Sequence, residues 1–500
     1  SVISYIRLTA LGLLFCLLAR PVLKKHRPPT SSPFLPSPAT NTTLSDRSFV
    51  KPTSTASHSI GVKMSDTEKK EEFARQAPPA SDGEAEAVKS PASPAGFDKS
   101  AFPEGGAKAW LTVSGASACL FVSFGWVNCV GIFQDYYQEN QLRDYTPSEI
   151  AWIPALQIFF MIFSGLFIGK VIDDYGPALP LAIGTFFHVF GLMMVSISKT
   201  YYQILLSQAI CSAIGASMVF YPAFTCVTTW FFKKRGAAIG LTVCGSSLGG
   251  VIFPIMLIHL IPQIGFGWSM RVCAFLILAL LIWANFTVRS RIPPTKRPFR
   301  VMAFFQPFRE LPFSLLTAAV YFFYWGMFIP ITFIVVEARA GGMSEGLSQY
   351  LVPILNGASI IGRTVPNALA DKVGHFNMMI AMSFLTMILI LGFWLPATGN
   401  AADITFAALF GVASGAGIGL TPVLVAHISP IQDIGVRTGA AYAVASIAAL
   451  TGSPIGGAII SSSRGSFQNT KIFGGVCCAV GVVLFIAARV ALVGWKPQKI

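Results

Sequence analysis

Two strings set the architecture of this chain. Gly169-Lys170-Val171-Ile172-Asp173-Asp174-Tyr175-Gly176 closes one long apolar segment, and Asn367-Ala368-Leu369-Ala370-Asp371-Lys372-Val373-Gly374 closes another. Each carries an Asp followed three residues later by a Gly, and Asp173 and Asp371 stand 198 positions apart. A short polar turn that recurs once at half-chain distance marks a duplicated membrane domain, the plan of many secondary transporters. A second echo has nearly the same period. Arg235-Gly236-Ala237-Ala238 precedes Gly249-Gly250, and Arg437-Thr438-Gly439-Ala440-Ala441 precedes Gly456-Gly457, with an offset of 202.

From Ala109 onward, long apolar segments run at 109–133, 149–171, 177–198, 202–230, 236–260 and 268–288, then at 313–336, 348–369, 375–397, 403–426, 437–461 and 472–494. Each is near the ~20 residues a helix needs to cross a ~30 Å hydrocarbon core. Only 12% of the residues are charged, against roughly 25% in soluble domains. So much apolar surface fits a lipid-facing fold, not a water-soluble one. The predicted fold is an all-α integral membrane protein, with twelve transmembrane helices in two pseudo-symmetric six-helix bundles. The bundles are 109–288 and 313–494, joined by a cytosolic connector, 289–312, and followed by a short tail, 495–500. Pro293, Pro294 and Pro298 oppose a long helix in the connector.

The formal charge of +14 lies in short Lys and Arg runs between apolar segments, mostly in the even-numbered loops. The first loop instead holds Asp135, Glu139, Asp144 and Glu149. That asymmetry places both termini in the cytosol. It also argues against nucleic acid binding, which needs a basic surface. The plasma membrane is the expected location, with the vacuolar membrane as the alternative. The nine cysteines fall almost entirely in apolar stretches and show no metal-ligand spacing. No Walker A string, HExxH or nucleophile elbow occurs, so no enzyme, metal or cofactor is expected.

Residues 1–108 are rich in Pro, Ser, Thr, Lys and Glu, which reads as disorder. The first methionine is Met64, and Met64-Ser65-Asp66-Thr67-Glu68 has the character of a cytosolic start. Residues 1–63 are therefore expected to be a mis-extended N-terminus, and 64–108 a disordered cytosolic tail.

Arg363 is the sharpest candidate for cargo binding. It lies inside the eighth segment, where a charge is costly and is expected to face the bundle interior or water. Helical spacing aligns it with Asn356, Ser359 and Asn367. A guanidinium in such a stripe suits bidentate capture of a carboxylate; the plainer alternative is an Arg that snorkels to the interface. Asn128, Gln208, Tyr321, Tyr324 and Tyr442 are candidate cavity residues, with interhelical hydrogen bonding the plainer role. His188, His259 and His427 are not singled out as proton relays by their spacing. Asp173, Asp174 and Asp371 read as gate latches. A carboxylate there accepts hydrogen bonds from the first amides of a neighbouring helix and favours its dipole. Arg235 reads chiefly as a topology-setting charge, with a contact to the Asp latch as a second role. The glycines of the fifth, tenth and eleventh segments permit close helix packing.

These residues resemble the major facilitator superfamily and, within it, the fungal branch of the monocarboxylate porter family. The strings that carry the resemblance are Pro103-Glu104-Gly105-Gly106, Gly125-Trp126-Val127-Asn128, Gly131-Ile132-Phe133-Gln134, Trp230-Phe231-Phe232-Lys233-Lys234-Arg235, Gly362-Arg363 with Ala370-Asp371-Lys372-Val373-Gly374, and Gly452-Ser453-Pro454-Ile455-Gly456-Gly457. The resemblance implies two halves around a central cavity that moves small organic anions, often with a proton, and it matches Arg363 to the family's carboxylate-binding Arg. Two positions depart from animal members: Asn128 stands where they carry a Lys, and Ser359 where they carry an Asp. Those departures remove the obvious proton-coupling pair. The alternatives are a facilitator or exporter of riboflavin or a secondary metabolite, and a non-transporting nutrient sensor with a transporter fold.

Overall fold

A computed structural model describes residues 102–294, 301–496 and 498–499. The expected mis-extended start and nearly all of the expected tail lie outside the described residues. Within them the protein is all-α, with no strand. Eleven long helical runs follow one another: α1 Ala107–Glu139, α2 Trp152–Tyr175, α3 Ala178–Val195, α4 Tyr201–Trp230, α5 Arg235–Thr287, α6 Leu311–Ala340, α7 Leu351–Val373, α8 His375–Trp394, α9 Asn400–His427, α10 Ile431–Ser462 and α11 Gln468–Val493. Ten are long and apolar enough to cross a membrane. The exception is α7, whose stripe of Asn356, Ser359, Arg363 and Asn367 lowers its mean hydropathy.

Eleven runs give twelve spans because α5 is two helices end to end. It is 53 residues long, and Gly265 interrupts it with φ 76° and ψ 162°. Only glycine adopts that backbone readily. A Cβ at Gly265 would meet nothing within 4 Å, so the backbone angle, not crowding, requires glycine here.

Several helices are irregular where polar groups gather. α1 breaks at Ser123 (φ −91°, ψ −77°) and again at Asn128 and Cys129. α4 contains a π-helical stretch, Leu205–Ser212, a form that often marks a functional position. Side chains fill both places. His188 of α3 is buried, with Nε2 3.1 Å from the Val122 carbonyl and Nδ1 2.9 Å from Ser212 Oγ. Gln208 accepts from Tyr137 Oη and donates to Gln157. Phe186, Phe275, Phe286, Ile361 and Val483 point outward and are exposed, as expected for groups facing lipid.

One buried ion pair ties three helices of the second half. Lys471 of α11 pairs with Glu337 of α6 and donates to the Trp394 carbonyl at 2.9 Å, while Trp394 Nε1 donates to Glu337 at 2.8 Å. Removing one partner of a buried pair strands the other charge. Lys471→Met is expected to cost about 3–5 kcal/mol, read as a lowered melting temperature in detergent. Lys471→Met with Glu337→Gln should recover most of it. An unchanged melting temperature in the single variant would sink this account.

Candidate functional site

At the end of the bundle that carries most of the basic loops, α2 and α7 each carry an Asp in the last turn, Asp173 and Asp371. Asp173 Oδ2 accepts from the Val436 N–H at 3.0 Å, in the first turn of the α-helical part of α10, Ile434–Ser462. Asp371 accepts from two amides in the first turn of α5, Gly236 at 2.8 Å and Ala237 at 2.9 Å. The first amides of a helix have no partner within it, and a carboxylate also favours the positive end of the dipole. In both cases the Asp belongs to one half and the capped helix to the other. His375 Nε2 lies 3.0 Å from Asp371 Oδ1.

Glycines bring the same helix pairs together along their length. A Cβ on Gly169 would stand 2.2 Å from the Gly435 oxygen, and one on Gly439 2.1 Å from the Gly165 oxygen. In the matching seam, a Cβ on Gly236 would stand 2.3 Å from the Asn367 oxygen, and one on Gly240 2.4 Å from the Arg363 oxygen. Backbone therefore meets backbone in both seams. A cleft of about 570 Å³ opens beside the Asp173 seam, lined by Lys170, Asp174, Glu310 and Arg437 among others.

Midway along the bundle, the stripe of α7 lies against α5. Arg363 is 6% exposed. Its Nη1 donates to the Val243 carbonyl at 3.1 Å and to Ser246 Oγ, and its Nε has no partner among the described residues. Ser359 and Ser247 hydroxyls are 2.6 Å apart. Asn356 donates to Asn128 Oδ1 at 2.9 Å, joining α7 to the break in α1. Beside them lies an aromatic layer drawn from both halves. The ring of Tyr442 of α10 lies 6.3 Å from that of Tyr324 of α6. The rings of Phe220 and Tyr221 of α4 lie 5.8 and 6.1 Å from Tyr442.

The structure thus gathers Arg363, Asn128, Asn356 and Tyr442 at the junction of the halves. Tyr321 belongs to another cluster, with Trp325 at 5.4 Å. Asp174 pairs with Lys170 on its own helix. Arg235 donates back to the Phe231 and Thr228 carbonyls at the end of α4, at 3.1 and 3.2 Å. It bonds within its own half, as does its echo Arg437, which donates to the Ile428 carbonyl at 2.8 Å and pairs with Glu310. Sequence reasoning passed over Tyr221, which no spacing distinguishes, and the role of Glu104. The Glu104 carboxylate accepts from three successive amides, Phe232, Lys233 and Lys234, 128 to 130 positions away. An acid in an opening Glu-Gly-Gly string was the available signal.

Comparison with known proteins agrees with this geometry. The family described as Major Facilitator Superfamily matches residues 114–424. An MFS-type transporter of Penicillium oxalicum is 55% identical over 79% of this chain and 93% of its own. A "Fujikurins efflux protein" of Gibberella fujikuroi is 46% identical over 77% of this chain and 83% of its own. An "Aspyridones efflux protein" of Emericella nidulans is 38% identical over 78% and 79%. Among solved structures, the MFS transporter FucP in its outward conformation shares the fold, with a TM-score of 0.60 at 13% identity, over 76% of this chain and 98% of that one.

Proposed function

Because the chain belongs to the Major Facilitator Superfamily, we propose that it exports a small acidic secondary metabolite by alternating access. The observation that carries export over import is the pair of relatives named as efflux proteins, at 46% and 38% identity. The acidic character of the cargo rests on Arg363. In the closed arrangement its Nη1 is engaged by the Val243 carbonyl and Ser246 of α5. When the α5–α7 seam opens, those bonds are traded for a cargo carboxylate, a pairing that suits a planar fork of donors. Asn128 and Asn356 supply neighbouring polar contacts, and Tyr442 with Tyr324 and Tyr221 offers faces for an apolar body. Asp173 and Asp371 hold the basic end shut. By the distribution of Lys and Arg, that end faces the cytosol, and the plasma membrane suits export from the cell.

The test compares cells that express the protein with cells that lack it. Both are loaded with a panel of labelled acids, from acetate-sized monocarboxylates to aromatic metabolite acids. Faster loss of the larger acids from expressing cells is expected. Facilitated uptake of the small monocarboxylates, with no export of any larger acid, would overturn the reading in favour of a monocarboxylate porter.

A further inference from the structure

Glu104 stands just before α1 with φ 53°, a backbone conformation that disfavours a side chain. Its carboxylate reaches the turn between α4 and α5. Oε1 accepts from Phe232 at 2.9 Å and Lys233 at 2.6 Å, and Oε2 from Lys234 at 3.0 Å. Just beyond Arg235, the amides of Gly236 and Ala237 are those that Asp371 holds. Two carboxylates, one from each half, therefore hold five amides of one turn.

Groups of the first half and of the start of the connector pack around Glu104. Phe102 lies 5.5 Å from Phe232, and Trp110 lies 5.2 Å from Phe231. Arg291 stacks over Phe102 at 4.8 Å and donates to the Thr229 carbonyl at 2.9 Å. Arg235, buried at the start of α5, interacts electrostatically with both Glu104 and Asp371. When the halves part, Asp371 leaves with α7, whereas Glu104 keeps its three amides. The turn then stays ordered, so Asp371 does not have to order it on return. Ordering in advance strengthens docking by removing that entropic cost.

We propose that Glu104 is a positioning residue for the gate: it holds the α4–α5 turn in the conformation onto which Asp371 docks, and so sets the closed fraction at the basic end. This rests on the alternating-access reading above. The test uses the full chain in liposomes, with its native cysteines replaced and a buried reporter, Ser247→Cys, at the position whose side chain meets Ser359 across the α5–α7 seam. Glu104→Gln is expected to raise labelling of the reporter from the basic side by about threefold or more, and Glu104→Asp to restore most of the protection. In an Asp371→Ala background, Glu104→Gln should add nothing, because the docking it favours is already lost. A lowered melting temperature with unchanged or slower labelling would make Glu104 a fold brace only. An additive effect in the Asp371→Ala background would separate it from the gate. Either result overturns the proposal. No cargo is needed, so failure of the export reading leaves this measurement intact.

Discussion

Asp371→Ala will unlock the basic end of the bundle while leaving the protein folded. The variant removes both acceptors from the first turn of α5, where Gly236 and Ala237 donate at 2.8 and 2.9 Å. Hydrogen bonds to a charged group contribute about 1.5–3 kcal/mol each when intact. Water reaches the freed amides once the seam parts, so the net shift is smaller than the sum, about 2–3 kcal/mol. At 1.4 kcal/mol per factor of ten, that is roughly a 30- to 150-fold loss of closed population. Net export should fall at least tenfold, and the Ser247→Cys reporter should become reactive from the basic side. Transport that falls while the reporter stays protected would mean that Asp371 acts elsewhere than at the gate.

Arg363→Ala should abolish export of an acidic cargo and spare a neutral one. The substitution deletes a buried guanidinium that donates to the Val243 carbonyl and Ser246. A charge-assisted pair of hydrogen bonds to a carboxylate is worth about 3–4 kcal/mol, which predicts an export rate lowered by roughly 100-fold or more. The methyl ester of the same cargo cannot use the pair, so its export should change by less than about threefold. Arg363→Lys should recover only part of the acid rate, because an ammonium lacks the planar fork. Equal losses for acid and ester would assign Arg363 to holding the α5–α7 seam. No loss for either would remove it from the cargo path.

The twelve-span fold was legible in the sequence because its signals are local. Hydropathy marks most spans one at a time, and the turn after Asp173 echoes the turn after Asp371 without any knowledge of contacts. Segment length alone separated the two spans of α5, although their helices run on through 53 residues with only Gly265 between them. The polar stripe of α7 was also visible, since residues three and four apart share a helix face. What the stripe faces was not visible, because the register of α5 against α7 depends on Gly236 and Gly240 meeting carbonyls from the other half. The same limit applies to Arg235, whose bonds turn back to the end of α4. It applies most to Glu104, whose three partners lie more than 120 positions away and are backbone amides, which no side-chain motif announces. Tyr324 and Tyr321 are three residues apart, and only the packing of α10 distinguishes them.

A transport cycle built on glycine-lined seams carries little entropic drag. Where Gly165 and Gly169 meet Gly435 and Gly439, no long side chains must be frozen at each closure, a penalty that reaches about 1.5–2 kcal/mol per flexible residue elsewhere. On the proposed cycle, the carboxylate bonds at the rim are then the points where closure could be retuned without rebuilding the surfaces that slide.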